Sequence, residues 1–274
     1  MTSFDGTRVF DGTRVFDGVR HVLFAHAHPD DETLATGALI SWLVSEGVDC
    51  SLVTASRGEA GEVVPGSAAA EPGSAELTAV REQELAAAVA ALGIGRHAYL
   101  GHPPARAAGL SPRVYRDSGM RWISPGLAGP ADSTDASSFC AADPAAAVAD
   151  LVAMITTVQP DLVISYESDG GYGHPDHVRM YEVTRDACRT AGVPRGEIVP
   201  RPRDGAVAHE DVGVGKDVGV GEDVEWFDLD DQLPTVVRAL RHHATQLTVQ
   251  DTDVVHVGGQ REPILTSVGV RVVA

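Results

Sequence analysis

The chain has 274 residues, enough for one domain with a sizeable core, and carries a formal net charge of −18 at pH 7. This acidity excludes nucleic acids and anionic membranes as expected partners, because phosphate groups are bound by basic surfaces. We therefore expect a small-molecule substrate. The three cysteines form no CxxC pair, and the first 18 residues lack the apolar core of a signal peptide. Both features predict reduced thiols and a cytoplasmic location, and the oligomeric state is left open.

The chain begins with a short repeat, FDGTRV, FDGTRV and FDGVRH, which has a period of six residues. Three copies of such a short unit cannot build a solenoid. We predict a flexible arm over residues 1–18, disordered or paired at a sheet edge, whose last copy leads into the first strand.

The part from residue 19 to residue 200 alternates predicted strands and helices. Apolar β-branched runs predict the strands, and apolar residues at helical spacing predict the helices. The predicted strands are 19–26, 48–55, 96–100 and 161–166, and the predicted helices are 33–46, 76–92, 145–158 and 176–191. This alternation predicts one α/β domain with a mostly parallel sheet flanked by helices.

Two stretches depart from this alternation. Residues 101–144 lack periodicity and are rich in Gly, Pro and Ser, which predicts a long insert that acts as a binding lid. Residues 204–231 hold ten acidic residues against one lysine and repeat the letters DVGVG, which predicts a solvated low-complexity loop. We assign residues 201–274 to the same domain as an irregular C-terminal part, with a helix at 233–247 and closing strands within 254–273.

Two dense polar motifs each follow a predicted strand. The first, HAHPDDE, occupies residues 26–32, and the second, GGYGHPDH, occupies residues 170–177. In an open parallel sheet, ligands bind at the carboxyl ends of the strands, where the loops leave. We therefore expect both motifs, the Gly- and Glu-rich loop at 56–73 and the insert to share one pocket.

The residue types in the two motifs predict a divalent-metal site. His28 and Asp31 are three residues apart, so in a turn that leaves a strand both side chains face one point, and an imidazole with a carboxylate suits zinc-like ions. The second motif supplies the third ligand, for which His174 and His177 compete. We prefer His177, because the helix that begins beside it would orient its side chain.

Hydrolysis also needs a base for water and donors for the developing oxyanion. Asp30 is adjacent to a proposed ligand but points elsewhere, which suits a general base. His174, if protonated, and Tyr172 are the predicted donors to the oxyanion.

Together the two motifs resemble the PIG-L/LmbE-like family of zinc-dependent deacetylases. AHPDDE after the first strand and GHPDH after a later one carry the resemblance, which extends over residues 19–247. It implies a Rossmann-like fold, one zinc ion per chain held by His28, Asp31 and His177, and Asp30 as the base. Ferrous iron is the alternative metal, since two nitrogens and a carboxylate accept either ion.

Further segments resemble the branch of this family that removes acetate from N-acetylglucosaminyl-inositol, a step of mycothiol biosynthesis. They are GEAGEV at 58–63, REQE at 81–84, YRDSGM at 115–120, GGYGHPDH at 170–177 and LRHHATQL at 240–247. The resemblance implies that Arg81 and Asp117 hold the sugar hydroxyls or the inositol, and that Glu62 lies near the sugar. Without it, Arg81 and Glu62 would be interpreted as solvated surface charges.

Three alternative functions are weighed against this hypothesis. An amidase of the same family, which cleaves mycothiol S-conjugates, would use the same metal site. Gly173 favours the deacetylase, since sequences similar to the amidase carry a bulkier residue there. Another N-acetyl-sugar deacetylase of the family is also compatible. A non-catalytic nucleotide- or sugar-binding protein is disfavoured, because no GxGxxG follows the first strand, where HPDDE would present carboxylates to a phosphate.

Overall fold

The computed structural model describes residues 14–124, 126–132, 134–200 and 223–273. Predictions for residues 1–13 and for the DVGVG repeat fall outside these ranges. The strands are β1 (His21–His26), β2 (Asp49–Thr54), β3 (Arg96–Tyr99), β4 (Met120–Ser124), β5 (Leu127–Pro130), β6 (Leu162–Tyr166), β7 (Arg195–Val199), β8 (Val224–Asp228), β9 (Leu247–Gln250), β10 (Asp253–His256), β11 (Arg261–Pro263) and β12 (Ser267–Val273). The helices are α1 (Asp31–Leu34), α2 (Gly37–Ser45), α3 (Ala75–Leu92), α4 (Pro144–Val158), α5 (Pro175–Ala191) and α6 (Leu233–Leu240).

Seven strands form the central sheet, in the order β3-β2-β1-β6-β7-β12-β8. The first five are mutually parallel, and β12 pairs antiparallel with both β7 and β8. The prediction of an α/β fold with a mostly parallel sheet is confirmed. The strand order reverses between β1 and β6, and the crevice beyond the carboxyl ends of two such strands is where ligands bind in sheets of this kind.

Alternating side chains of β1 build a core on each face of the sheet. Val22 and Phe24 belong to one buried cluster with side chains of α2 and α3, whereas Leu23 and Ala25 belong to another with side chains of α4 and α5. A strand covered on both faces is apolar throughout, which is why residues 22–25 carry no polar side chain. The two helical layers fix β1 firmly, and with it the motif that follows.

Several predicted boundaries differ from the observed ones. The helix predicted at 33–46 is divided into α1 and α2, and the helix predicted at 233–247 ends at Leu240. The second difference arises because His243 turns inward and contacts Glu32 in the core. From the end of α6 to the start of β9, the chain therefore runs beneath the first motif and does not continue as a surface helix.

Two regions predicted to be flexible contribute described residues to the core. Phe16, within the predicted arm, is fully buried and packs its ring against Trp42 and Phe227. Phe227 itself lies in β8, although the acidic loop was predicted to extend over 204–231. In both regions a buried aromatic ring outweighs a local composition that favours solvent.

Among the described residues, no helix is long and apolar enough to cross a membrane.

The insert is more ordered than its composition predicts. It contains a hairpin of β4 and β5, and it is tied to α4 through Asp150, which is 0 % exposed. The carboxylate of Asp150 accepts hydrogen bonds from Arg106 Nη1 at 2.9 and 3.1 Å, from the Ala107 N–H at 2.8 Å and from the Tyr115 hydroxyl at 2.8 Å. One buried side chain thus fixes the start of the segment that reaches the site.

Replacing Asp150 with alanine should destabilise the fold by about 3–5 kcal/mol, because the largely buried Arg106 guanidinium and the hydroxyl of the buried Tyr115 would lose their acceptor. The measurement is the free energy of unfolding in a denaturant titration. Glu182→Ala is the control, since Glu182 pairs with Arg179 at the surface and such pairs contribute about 0–1 kcal/mol. Equal losses in the two variants would show that Asp150 does not anchor the insert.

Candidate metal centre and active site

Both polar motifs lie at the reversal point of the sheet. The first occupies the turn between β1 and α1, and the second occupies the turn that leads from β6 into α5. The convergence predicted from the sequence is therefore observed. His28, Asp31 and His177 are all buried there.

Three donor atoms form a nearly equilateral triangle. His28 Nδ1 lies 3.3 Å from Asp31 Oδ2 and 3.3 Å from His177 Nε2, and His177 Nε2 lies 3.4 Å from Asp31 Oδ2. Around an ion with bonds of about 2.0–2.1 Å, tetrahedral ligand atoms lie about 3.3–3.4 Å apart. The donor set of two imidazoles and one carboxylate therefore fits a divalent cation of the zinc type.

Hydrogen bonds on the outer side orient each donor. His177 Nδ1 donates to the Gly170 carbonyl at 3.1 Å, so its Nε2 lone pair faces the triangle. Asp31 Oδ2 accepts the hydroxyl of Tyr166 at 2.7 Å and the N–H of His28 at 2.9 Å. Such outer partners are typical of protein metal sites, where they fix the tautomer and the ring orientation.

Sequence reasoning missed two of these outer partners. Asp176 is fully buried, and its Oδ2 atom accepts from His28 Nε2 at 3.1 Å while its carboxylate also binds the N–H groups of Ser118 and Cys140 at 2.9 Å. Tyr166 stacks on the His177 ring at 4.3 Å. The available signals were the aspartate inside GHPDH and the aromatic residue at the carboxyl end of a buried strand.

Other groupings of donors are possible at this place. His174 lies near His28 and His177, and Asp117 and Asp176 lie near the opposite nitrogen of His28, within 4.8 Å of one another in each group. However, His174 Nδ1 already accepts the N–H of Asp176 at 3.1 Å, which caps α5. We therefore favour the triangle that includes Asp31.

The electrostatics of the site favour positive charge at the triangle. Burial alone would lower the pKa of His28, but the carboxylates of Asp117, Asp176 and Asp31 outweigh it and hold this pKa well above its usual value. Burial would raise the pKa of Asp31, but His177 and His28 hold it well below its usual value. Asp31 is therefore anionic, as a metal ligand must be, and its surroundings attract a cation.

Asp30 lies beside the triangle in an unusual backbone conformation. It has φ 98°, a left-handed value that non-glycine residues rarely adopt. Burial and then the neighbouring Asp31 raise the pKa of Asp30 to about 7. A carboxylate with a pKa near the working pH is suited to accept and return a proton.

His174 and Tyr172 lie on the open side of the triangle. The His174 ring is 4.5 Å from that of His28, and the Tyr172 ring is 5.1 Å from that of His177. Burial, with His28 and His177, lowers the pKa of His174 to about 2, so the ring is neutral and the condition that it be protonated is not met. Because Nδ1 accepts a backbone N–H, the proton resides on Nε2, where it remains available as a donor.

The predicted substrate residues occupy different environments. Asp117 lies at the site, with Oδ1 3.5 Å from His28 Nε2, and Glu62 is exposed. Arg81 is 1 % exposed, and its guanidinium donates to the carbonyls of Gly58, Gly61 and Glu62. Arg81 thus fixes the loop that carries Glu62, and a contact between Arg81 and a substrate stays a prediction.

Comparisons with known proteins find de-N-acetylases among the similar sequences. The family model described as PIG-L, GlcNAc-PI de-N-acetylase, matches residues 23–188. A protein of Kineococcus radiotolerans named 1D-myo-inositol 2-acetamido-2-deoxy-alpha-D-glucopyranoside deacetylase is 38 % identical over 259 residues, which covers 84 % of this chain and 70 % of that protein. A Rhodococcus opacus protein of the same name is 39 % identical over 178 residues, which covers 64 % of this chain and 56 % of that protein. The match covers 70 % of the length of the Kineococcus protein and 56 % of the length of the Rhodococcus protein.

A solved structure supports the fold. The N,N'-diacetylchitobiose deacetylase of Pyrococcus horikoshii superposes with a TM-score of 0.55 at 18 % identity, covering 85 % of this chain and 73 % of that one. At this identity the likeness concerns the fold alone. The matched family segment contains both polar motifs, α3 and the insert.

Proposed function

Because the chain belongs to the PIG-L family of de-N-acetylases, we propose that it hydrolyses the acetamide of N-acetylglucosaminyl-inositol to glucosaminyl-inositol and acetate, as in mycothiol biosynthesis. One zinc ion, held by His28, Asp31 and His177, would be its cofactor. The observation that carries the proposal is the triangle of donor atoms, 3.3–3.4 Å on each side, with a carboxylate beside it. The names of the two relatives support the substrate.

The chemistry begins with activation of water. His28, Asp31 and His177 would hold a zinc ion, which when bound would act as a Lewis acid towards the acetamide carbonyl and towards water. Asp30 removes a proton from the water molecule that attacks the carbonyl carbon, and a buried carboxylate with its pKa raised to about 7 is suited to this role.

His174 and Tyr172 stabilise the oxyanion that forms when the carbonyl carbon becomes tetrahedral. The Nε2–H of neutral His174 donates to the oxygen that gains charge, and the Tyr172 hydroxyl supplies a second donor. Protonated Asp30 then returns its proton to the departing nitrogen, so that the C–N bond breaks and a free amine and acetate form. The proton taken from water thus ends on the product amine.

The side chains at the entrance of the site suit a substrate with a polar sugar ring. Asp117 offers a carboxylate to sugar hydroxyls, and it accepts the N–H of Ala60 at 3.2 Å from the loop that also carries the exposed Glu62. Trp122, 52 % exposed, lies 5.8 Å from the ring of Tyr172, which is 37 % exposed. Aromatic side chains that are apolar on their faces and polar at one end are well suited to such an entrance.

The test is release of free amine from N-acetylglucosaminyl-inositol, measured beside a mycothiol S-conjugate, with zinc-loaded and chelator-treated chain. We expect amine from the first substrate, and loss of that amine after chelation. A preference for the conjugate would assign the chain to the amidase. No amine from either compound would leave family membership intact but reject this substrate.

A further inference from the structure

A buried pair, Glu32 at the end of the first motif and His243 after α6, takes no part in this chemistry. Both residues are 0 % exposed, and His243 Nε2 donates to Glu32 Oε1 at 2.8 Å. Burial of such groups costs solvation free energy that apolar residues of similar size would not lose. Core stability alone therefore does not account for the pair.

Glu32 also binds the backbone of the proposed base. Its Oε2 atom accepts the N–H of Asp30 at 3.0 Å. Asp30 has φ 98°, and a strained backbone of this kind persists only where its surroundings restrain it. The bond from Asp30 to Glu32 is one such restraint, and His243 fixes the carboxylate that provides it.

A second restraint comes from the segment that follows α6. Gln246 Nε2 donates to the carbonyl of Pro29 at 2.9 Å, and it lies 3.3 Å from His243 Nδ1. The same segment is anchored to α3, because the Thr245 N–H and hydroxyl bind the carboxylate of Glu84 at 2.8 and 2.6 Å. The peptide group that precedes the base is therefore held at both its oxygen and its N–H.

We propose that Glu32, His243 and Gln246 are positioning residues that hold the peptide between Pro29 and Asp30 and thereby orient the Asp30 carboxylate towards the substrate. The inference rests on the proposed function, in which Asp30 is the base. A displacement of about 1 Å at a catalytic group costs up to about 10²-fold in rate. Because none of the three residues is assigned a contact with substrate or metal, the effect should fall on kcat and spare KM.

The test compares variants at two adjacent histidines. His243→Leu removes the donor to Glu32, and we expect kcat to fall about 10- to 10²-fold with KM and zinc content unchanged. His243→Gln keeps an N–H group near the position of Nε2 and should recover part of the loss. His242→Leu is the matched control, because His242 is exposed and should leave kcat at the parent value.

A double variant separates positioning from general damage. In an Asp30→Asn background, His243→Leu should lower kcat no further, because the base that it orients has been removed. A further fall of the same size would overturn the proposal in favour of a purely structural role. If His243→Leu does not fold, Gln246→Ala, at a half-buried position, takes its place in the same comparison.

Hydrogen exchange supplies a readout that does not depend on activity. The amides of residues 27–34 should exchange faster in His243→Leu and Gln246→Ala than in the parent, and His242→Leu should match the parent. Unchanged exchange in this segment would reject the positioning role. Faster exchange in a chain that releases no amine from the proposed substrate would support the restraint and reject only the proposed function.

Discussion

Asp30→Asn should keep its metal and lower kcat by about 10²- to 10⁴-fold, which is the contribution of a positioned general base. The amide has the shape of the carboxylate but cannot take a proton from water. Asparagine also tolerates positive φ better than most residues, so the conformation at φ 98° is retained. The measurements are kcat for acetate release and the zinc content of the purified variant.

The control for Asp30→Asn is Asp49→Asn, the same chemical change at the exposed start of β2. It lies at the opposite end of the sheet and should leave kcat unchanged. If Asp30→Asn retained near-parent turnover, the assignment of the base would be wrong. If it lost zinc together with turnover, Asp30 would belong among the ligands.

His177→Ala should lose both the metal and all measurable turnover. It removes one of the three proposed protein donors, and the two that remain no longer close the triangle of 3.3–3.4 Å sides. The measurement is zinc affinity by competition with a chromophoric chelator, with acetate release measured on the same samples.

Asp176→Asn is the comparison variant for His177→Ala, because it should weaken zinc binding without abolishing it. Asp176 binds the far nitrogen of His28 at 3.1 Å and does not belong to the triangle. Loss of such an outer partner typically weakens metal binding by about 10- to 100-fold, so turnover should recover in excess zinc. If Asp176→Asn lost zinc as completely as His177→Ala, the alternative group of His28, Asp117 and Asp176 would be favoured.

The parts of the fold that depend on local pattern were predictable from the sequence. A continuous apolar run located β1, and apolar residues at helical spacing located α3 and α5, to within a few residues. The convergence of the two polar motifs followed from the rule that parallel strands present their carboxyl ends at one edge. These predictions needed no knowledge of distant contacts.

The features that were missed depend on contacts between distant residues. His243 ends the last helix early because it binds Glu32, 211 positions away in sequence. Phe16 and Phe227 are buried together although each lies in a stretch of polar composition. The neutral state of His174 depends on its burial beside His28 and His177. None of these contacts has a signature in local spacing.

A zinc titration of the chelator-treated chain tests the central claim most directly. Acetate release from N-acetylglucosaminyl-inositol would be followed as zinc is added to the parent chain and to His177→Ala. We expect activity in the parent to rise to a plateau at one zinc per chain, and His177→Ala to stay inactive at the same zinc concentration. Full activity of the parent without added metal, or a plateau at one zinc per chain in His177→Ala, would contradict a metal centre built on His28, Asp31 and His177.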